Sequence, residues 1–116
     1  MDASNPRRER LKEELKREVA DILRNMKDPR TGFVTVTDVE ISNDLRHLKV
    51  FVSIYAEAHE TEETMRVLKR AVGFVRTELG QRVRMRHTPE VHFALDTSLA
   101  YGARVDALLR EIGKES

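Results

Sequence analysis

The sequence predicts an α+β fold in the order α-β-β-α-α-β-α, with a three-stranded mixed sheet covered by helices on one face. Three observations predict it. Apolar residues recur at helical spacing through residues 11–26 and again through 65–83. Leu48, Val50, Val52 and Ile54 alternate with more polar neighbours, the mark of a half-buried strand. A short link joins that strand to an earlier apolar run, which makes an antiparallel hairpin, whereas a long helical crossover precedes the third strand and lets it run parallel to the second. At 116 residues and 40% apolar, the chain suits one domain over 1–116, with flexible ends at 1–5 and 114–116.

Asn5-Pro6 reads as a helix cap followed by proline at the first helical position. Leu11, Leu15, Val19, Ile22, Leu23 and Met26 then form one stripe, so the first helix should run to about Met26. Asp28-Pro29-Arg30-Thr31-Gly32 turns the chain. From Phe33 to Ile41 the alternation slips: Val34 and Val36 share one parity, Val39 and Ile41 the other, and a bulge near Thr37 or Asp38 reconciles them. Ser42–His47 forms the hairpin turn. Thr61 is placed to cap the next helix, with Glu62 and Glu63 suiting its positive end. Met65, Leu68, Ala71 and Val72 precede a weak point at Ala71-Val72-Gly73, and Val75, Leu79 and Val83 follow it. Thr88-Pro89 opens a third strand with Val91, Phe93 and Leu95 inward. Asp96, Thr97 and Ser98 suit the cap of a last helix carrying Val105, Leu108, Leu109 and Ile112, stopped by Gly113.

A net charge of +1 conceals strong segregation. Residues 31–65 carry two basic and seven acidic side chains, and residues 66–92 carry seven and two. Such a molecule can present one positive face to nucleic acid and repel it elsewhere, or the two blocks can pair across the fold. On a single helix, Arg66, Lys69, Arg70, Gly73, Arg76 and Thr77 fall on one stripe. Glycine inside a helix costs ~1 kcal/mol relative to alanine. One compensating reason is that no side chain covers the backbone there, so a phosphate can approach between flanking cations. The other is a kink that merely wraps the core. The candidate RNA-binding residues are therefore Arg66, Lys69, Arg70, Ala71, Val72, Gly73 and Arg76, with Arg82, Arg84 and Arg86 beyond them and Arg7, Arg8 and Arg10 near the N-terminus.

The chemistry of an enzyme is missing. His47, His59, His87 and His92 have no metal-ligand spacing and read as surface histidines, so no metal site or cofactor is expected. The acidic run Glu57, Glu60, Glu62 and Glu63 lacks the glycine and register of a calcium loop. No glycine-rich phosphate cradle is present, and no small-molecule substrate is implied. With no cysteine, no apolar leader and no apolar run near ~18 residues, a cytoplasmic monomer with no membrane association is expected. Two other binding modes stay open. Phe51 and Tyr55 on the outer parity of the second strand could stack unpaired bases, unless flanking side chains half cover them, and the basic stripe could dock an acidic protein.

Four stretches in order resemble a known family: KDPR at Lys27–Arg30 with Gly32, VEISNDLRHLKVFVS at Val39–Ser53, RAVGFVR at Arg70–Arg76, and RVRMRHTPEVHFALDTS at Arg82–Ser98. Together they are similar to the bacterial ribosome-binding factor A family, from about Arg7 to Ile112. The resemblance implies a type II KH-like domain in which an interrupted A-x-G helix, here Ala71-Val72-Gly73, stands in for the G-x-x-G loop. It implies an RNA-binding assembly factor for the small ribosomal subunit, acting near the 5′ end of the ribosomal RNA. Late maturation, 5′ end processing and growth in the cold would depend on it. The chain departs from the family's pattern at Leu48, where a small residue is usual, and lacks after its last helix the charged tail that many members carry.

Overall fold

A computed structural model describes residues 6–28 and 33–97. Its elements are α1 (Pro6–Arg24), β1 (Val34–Ile41), β2 (His47–Ile54), α2 (Ala58–Arg70), α3 (Val72–Arg82) and β3 (Glu90–Leu95). The expected cap at Asn5, the turn residues 29–32 and the last helix from Ser98 lie outside the described residues.

The sheet order is β1-β2-β3, antiparallel between β1 and β2 and parallel between β2 and β3, as the connection lengths require. The parity slip in β1 is a bulge. Val36 pairs with Val52 and Asp38 with Phe51, leaving Thr37 without a partner across the ladder. Its hydroxyl donates instead to the Asp96 carboxylate just beyond β3. The bulge brings Val39 and Ile41 onto the face where Leu48, Val50 and Val52 are buried. Leu15, Val19, Ile22 and Leu23 of α1, Leu68 of α2, and Val75 and Leu79 of α3 close over that face. Each such side chain contributes roughly 1.5–3 kcal/mol when fully buried, and this layer holds the molecule together.

Two boundaries and one buried position depart from the sequence expectations. α1 stops at Arg24, where the Asn25 amide side chain takes the Asp21 carbonyl at 2.9 Å, although Met26 still packs half-buried on the core. α2 begins at Ala58 rather than after Thr61, with Glu57 as its cap residue and no side-chain capping bond. Thr61 lies within the first turn, its hydroxyl 3.4 Å from the Ala56 carbonyl. Leu95, the last residue of β3, is 40% exposed rather than inward, while Val91 and Phe93 are buried as expected.

Candidate nucleic-acid interface

The break between α2 and α3 falls at Ala71, with φ −86° and ψ −2°. Its N–H is shared between the Val67 and Leu68 carbonyls, both at 3.0 Å, and the helical ladder resumes with Val75 N–H to Ala71 O at 2.9 Å. Gly73 is thus the second residue of α3, not the middle of one helix. It is exposed, its φ is ordinary, and a Cβ placed on it would meet nothing within 4 Å. The basic stripe survives the break in part: Lys69, Val72, Gly73 and Arg76 form one wall of an open groove of about 490 Å³, and residues 90–93 of the edge strand form the other.

Two further hollows continue from that groove in turn. Arg76 is shared with a hollow of about 260 Å³ lined also by Arg46, His47, His87, Thr88 and Glu90. Arg46 and His87 are shared in turn with one of about 540 Å³, lined by Leu11, Asp44, Leu45, Arg84, Met85 and Arg86. The depressions form a track with cations along its length. Sequence reasoning missed Arg46, because it lies in the segment where acidic residues dominate.

The local structure holds these cations in place. The Arg76 guanidinium donates to the Thr88 carbonyl through Nε at 3.3 Å and Nη2 at 3.0 Å, so it is oriented across the track floor. Arg46 follows a tight turn in which the Ser42 hydroxyl donates to Asp44 at 2.6 Å and the Arg46 N–H reaches Asp44 at 3.0 Å. Those two bonds, the Ser42 one foremost, hold the Asp44 carboxyl below its usual range. Leu45, between them, has φ 61°, a left-handed conformation unusual for a branched side chain.

The remaining sequence candidates separate. Arg82 is turned inward: Nη1 lies 2.6 Å from Asp21 and 3.4 Å from Glu18 on α1, and Nη2 lies 3.8 Å from Glu78. Its charge is matched inside the fold, which favours a structural role for it. Arg66 faces Glu62 across one turn at 3.8 Å, and Arg70 is exposed at the end of α2. Arg7, Arg8 and Arg10 sit on the first turns of α1, and Arg8 donates to the Ile41 carbonyl at the end of β1. Phe51 is half-buried with the Lys49 ammonium 5.0 Å from its ring centre. Tyr55 is 90% exposed, not half covered, because it lies one residue beyond the end of β2, beside the 60% exposed Phe33.

This architecture has known counterparts. The ribosome-binding factor A family matches residues 7–109. The chain belongs to that family. A ribosome-binding factor A from Halothermothrix orenii is 53% identical over 94% of this chain and 90% of its own length, and one from Natranaerobius thermophilus is 51% identical over 94% and 84%. The crystal structure of ribosome-binding factor A from Thermus thermophilus superposes with a TM-score of 0.69 at 34% identity, covering 75% of this chain and 93% of that one. A homology model of the Thermus thermophilus protein, fitted into the cryo-EM map of a 30S complex, gives 0.65 at 34% identity over 76% and 93%. The family's α+β architecture with a mixed three-stranded sheet is the one described here. Among the described residues, no helix is long and apolar enough to cross a membrane.

Proposed function

We propose that the chain is an assembly factor that binds the small ribosomal subunit through its ribosomal RNA, promotes late maturation and 5′ end processing, and matters most in the cold. Family membership supports the partner, since a relative has been placed on a 30S particle. The observation that carries the mode of binding is the track from Lys69 and Gly73 through Arg76 and Arg46 to Arg84 and Arg86. Phosphate contacts need donors and cations spaced along a surface, with no chemistry beyond charge and shape. The protein acts as a binding factor in the cytoplasm, as a monomer on the particle. Arg82 takes no part in the RNA contact, while Arg7 and Arg10 extend the positive surface at the start of α1.

Sucrose-gradient sedimentation of cell extract tests the reading. The protein should travel with free small subunits and hardly with whole ribosomes, and its deletion should leave unprocessed small-subunit RNA, most of all at low temperature. Normal processing together with no ribosomal association would overturn it. The exposure of Tyr55 and Phe33 favours one second reading, a general single-stranded RNA module that stacks bases on aromatic faces.

A further inference from the structure

The parallel register of β2 and β3 sets His47 opposite Glu90 and Lys49 opposite His92, so two histidines 45 residues apart in sequence share one end of the sheet with a carboxylate. His47 Nδ1 lies 3.2 Å from His92 Nε2 and 3.5 Å from Glu90 Oε2, and His92 Nε2 lies 3.8 Å from the same oxygen. Three donors around a tetrahedral Zn²⁺ with bonds of ~2.0–2.1 Å stand about 3.3–3.4 Å apart, which the observed separations bracket. The nearest point equidistant from the three atoms lies in their plane about 2.0 Å from each, so an ion at ~2.1 Å would stand just off that plane, with its open side toward a fourth ligand.

We propose that His47, Glu90 and His92 form a binding site for a divalent transition-metal ion of the zinc type. Two imidazoles select for such an ion over Mg²⁺ or Ca²⁺, which take oxygen ligands. All three side chains are exposed, so a fourth position is open to water. Arg46 and Arg76 line the same hollow as His47 and Glu90 and oppose a cation there, but Arg76 is turned to the Thr88 carbonyl and Lys49 is drawn over Phe51. The ion would tie the start of β2 to the start of the edge strand. Sequence spacing could not reveal the site, because its ligands come from two strands joined only by their register. The inference needs nothing of the ribosomal reading.

Calorimetric titration of the full chain with Zn²⁺, slightly alkaline of neutrality and with excess Mg²⁺ present, tests it. One ion per chain should bind saturably. His47→Gln, His92→Gln and Glu90→Gln should each weaken binding more than tenfold while circular dichroism stays unchanged. His59→Gln should leave binding as it was, since His59 lies near Glu57 and Glu60 at 4.0 and 3.8 Å without a second imidazole. In NMR spectra the ion should shift the His47 and His92 ring signals and spare those of His59. No saturable binding, or equal binding by the His92→Gln protein, would overturn the proposal.

Discussion

Arg82 near the end of α3 donates a 2.6 Å hydrogen bond to Asp21 near the end of α1, across 61 residues of sequence. The same guanidinium lies near Glu18 and Glu78, so one cation is shared among three carboxylates where the two helices meet. Its bond holds the Asp21 carboxyl below the usual range, against an opposing effect of partial burial and with a smaller contribution from Arg24.

That shift fixes a pH dependence. A carboxyl with a depressed pKa in the folded state adds stability above its unfolded value of about 3.9, and the contribution fades as pH falls through the folded value. Asp21→Asn should therefore lower the melting temperature near neutrality, and the gap from the parent protein should be smaller at an acid pH below the unfolded value. Thermal unfolding followed by circular dichroism at the two pH values checks this. A gap of equal size at both would mean that shape, not charge, makes the contact.

Binding to small-subunit RNA should weaken steeply with salt, with a log–log slope of about −0.7 per single-strand phosphate neutralised and about −0.9 per duplex phosphate. Arg46→Ala and Arg84→Ala should each flatten the slope by about one phosphate's worth, because both lie on the track. Arg82→Ala should lower stability and leave the slope unchanged. Filter-binding titrations over a salt series separate these variants. If Tyr55→Ala weakens binding while the arginine variants do not, aromatic stacking governs instead.

Much of the fold was legible because its signals are local. The slipped parity at Thr37 marked the bulge, the crossover length set the parallel pairing, and Ala71-Val72-Gly73 marked the break. Most of the candidate surface was legible for the same reason: Lys69, Gly73 and Arg76 fall on one helical stripe and still line one groove, and Arg84 and Arg86 of the same basic segment line another hollow. What was missed depends on tertiary placement. Arg82 is no different in sequence from Arg84, yet its turn faces the acids of α1. Arg46 joins the track only because the hairpin turn folds toward residues 84–87. Thr61 has a good cap chemistry, but three residues before it already continue the helix, and a side chain within the first turn cannot cap it.

The turn that presents Arg46 carries strain at Leu45, whose φ of 61° costs an ordinary L-residue roughly 1–2 kcal/mol. Asparagine tolerates that conformation better than alanine does. Leu45→Asn and Leu45→Ala lose the same apolar contact, so Leu45→Asn should be the more stable by about 1 kcal/mol. Equal unfolding midpoints in urea would show that the turn relaxes when leucine is removed.

Two glycines of α3 should respond in opposite ways to the same added methyl. At Gly73 a Cβ meets nothing within 4 Å, so Gly73→Ala should keep or raise the melting temperature, gaining up to ~1 kcal/mol of helix propensity. If the RNA backbone approaches at that bare position, the variant should still bind immature small subunits more weakly. At Gly80 a Cβ would lie 2.7 Å from the Thr88 hydroxyl, so Thr88 must move, and the Thr88 carbonyl is what orients Arg76. Gly80→Ala should therefore lower the melting temperature, and adding Thr88→Ala, which removes the hydroxyl and keeps the carbonyl, should restore it. A double variant no more stable than Gly80→Ala alone would place the damage elsewhere than at Thr88. Full ribosomal association by a stable Gly73→Ala protein would show that the break serves packing and not the RNA.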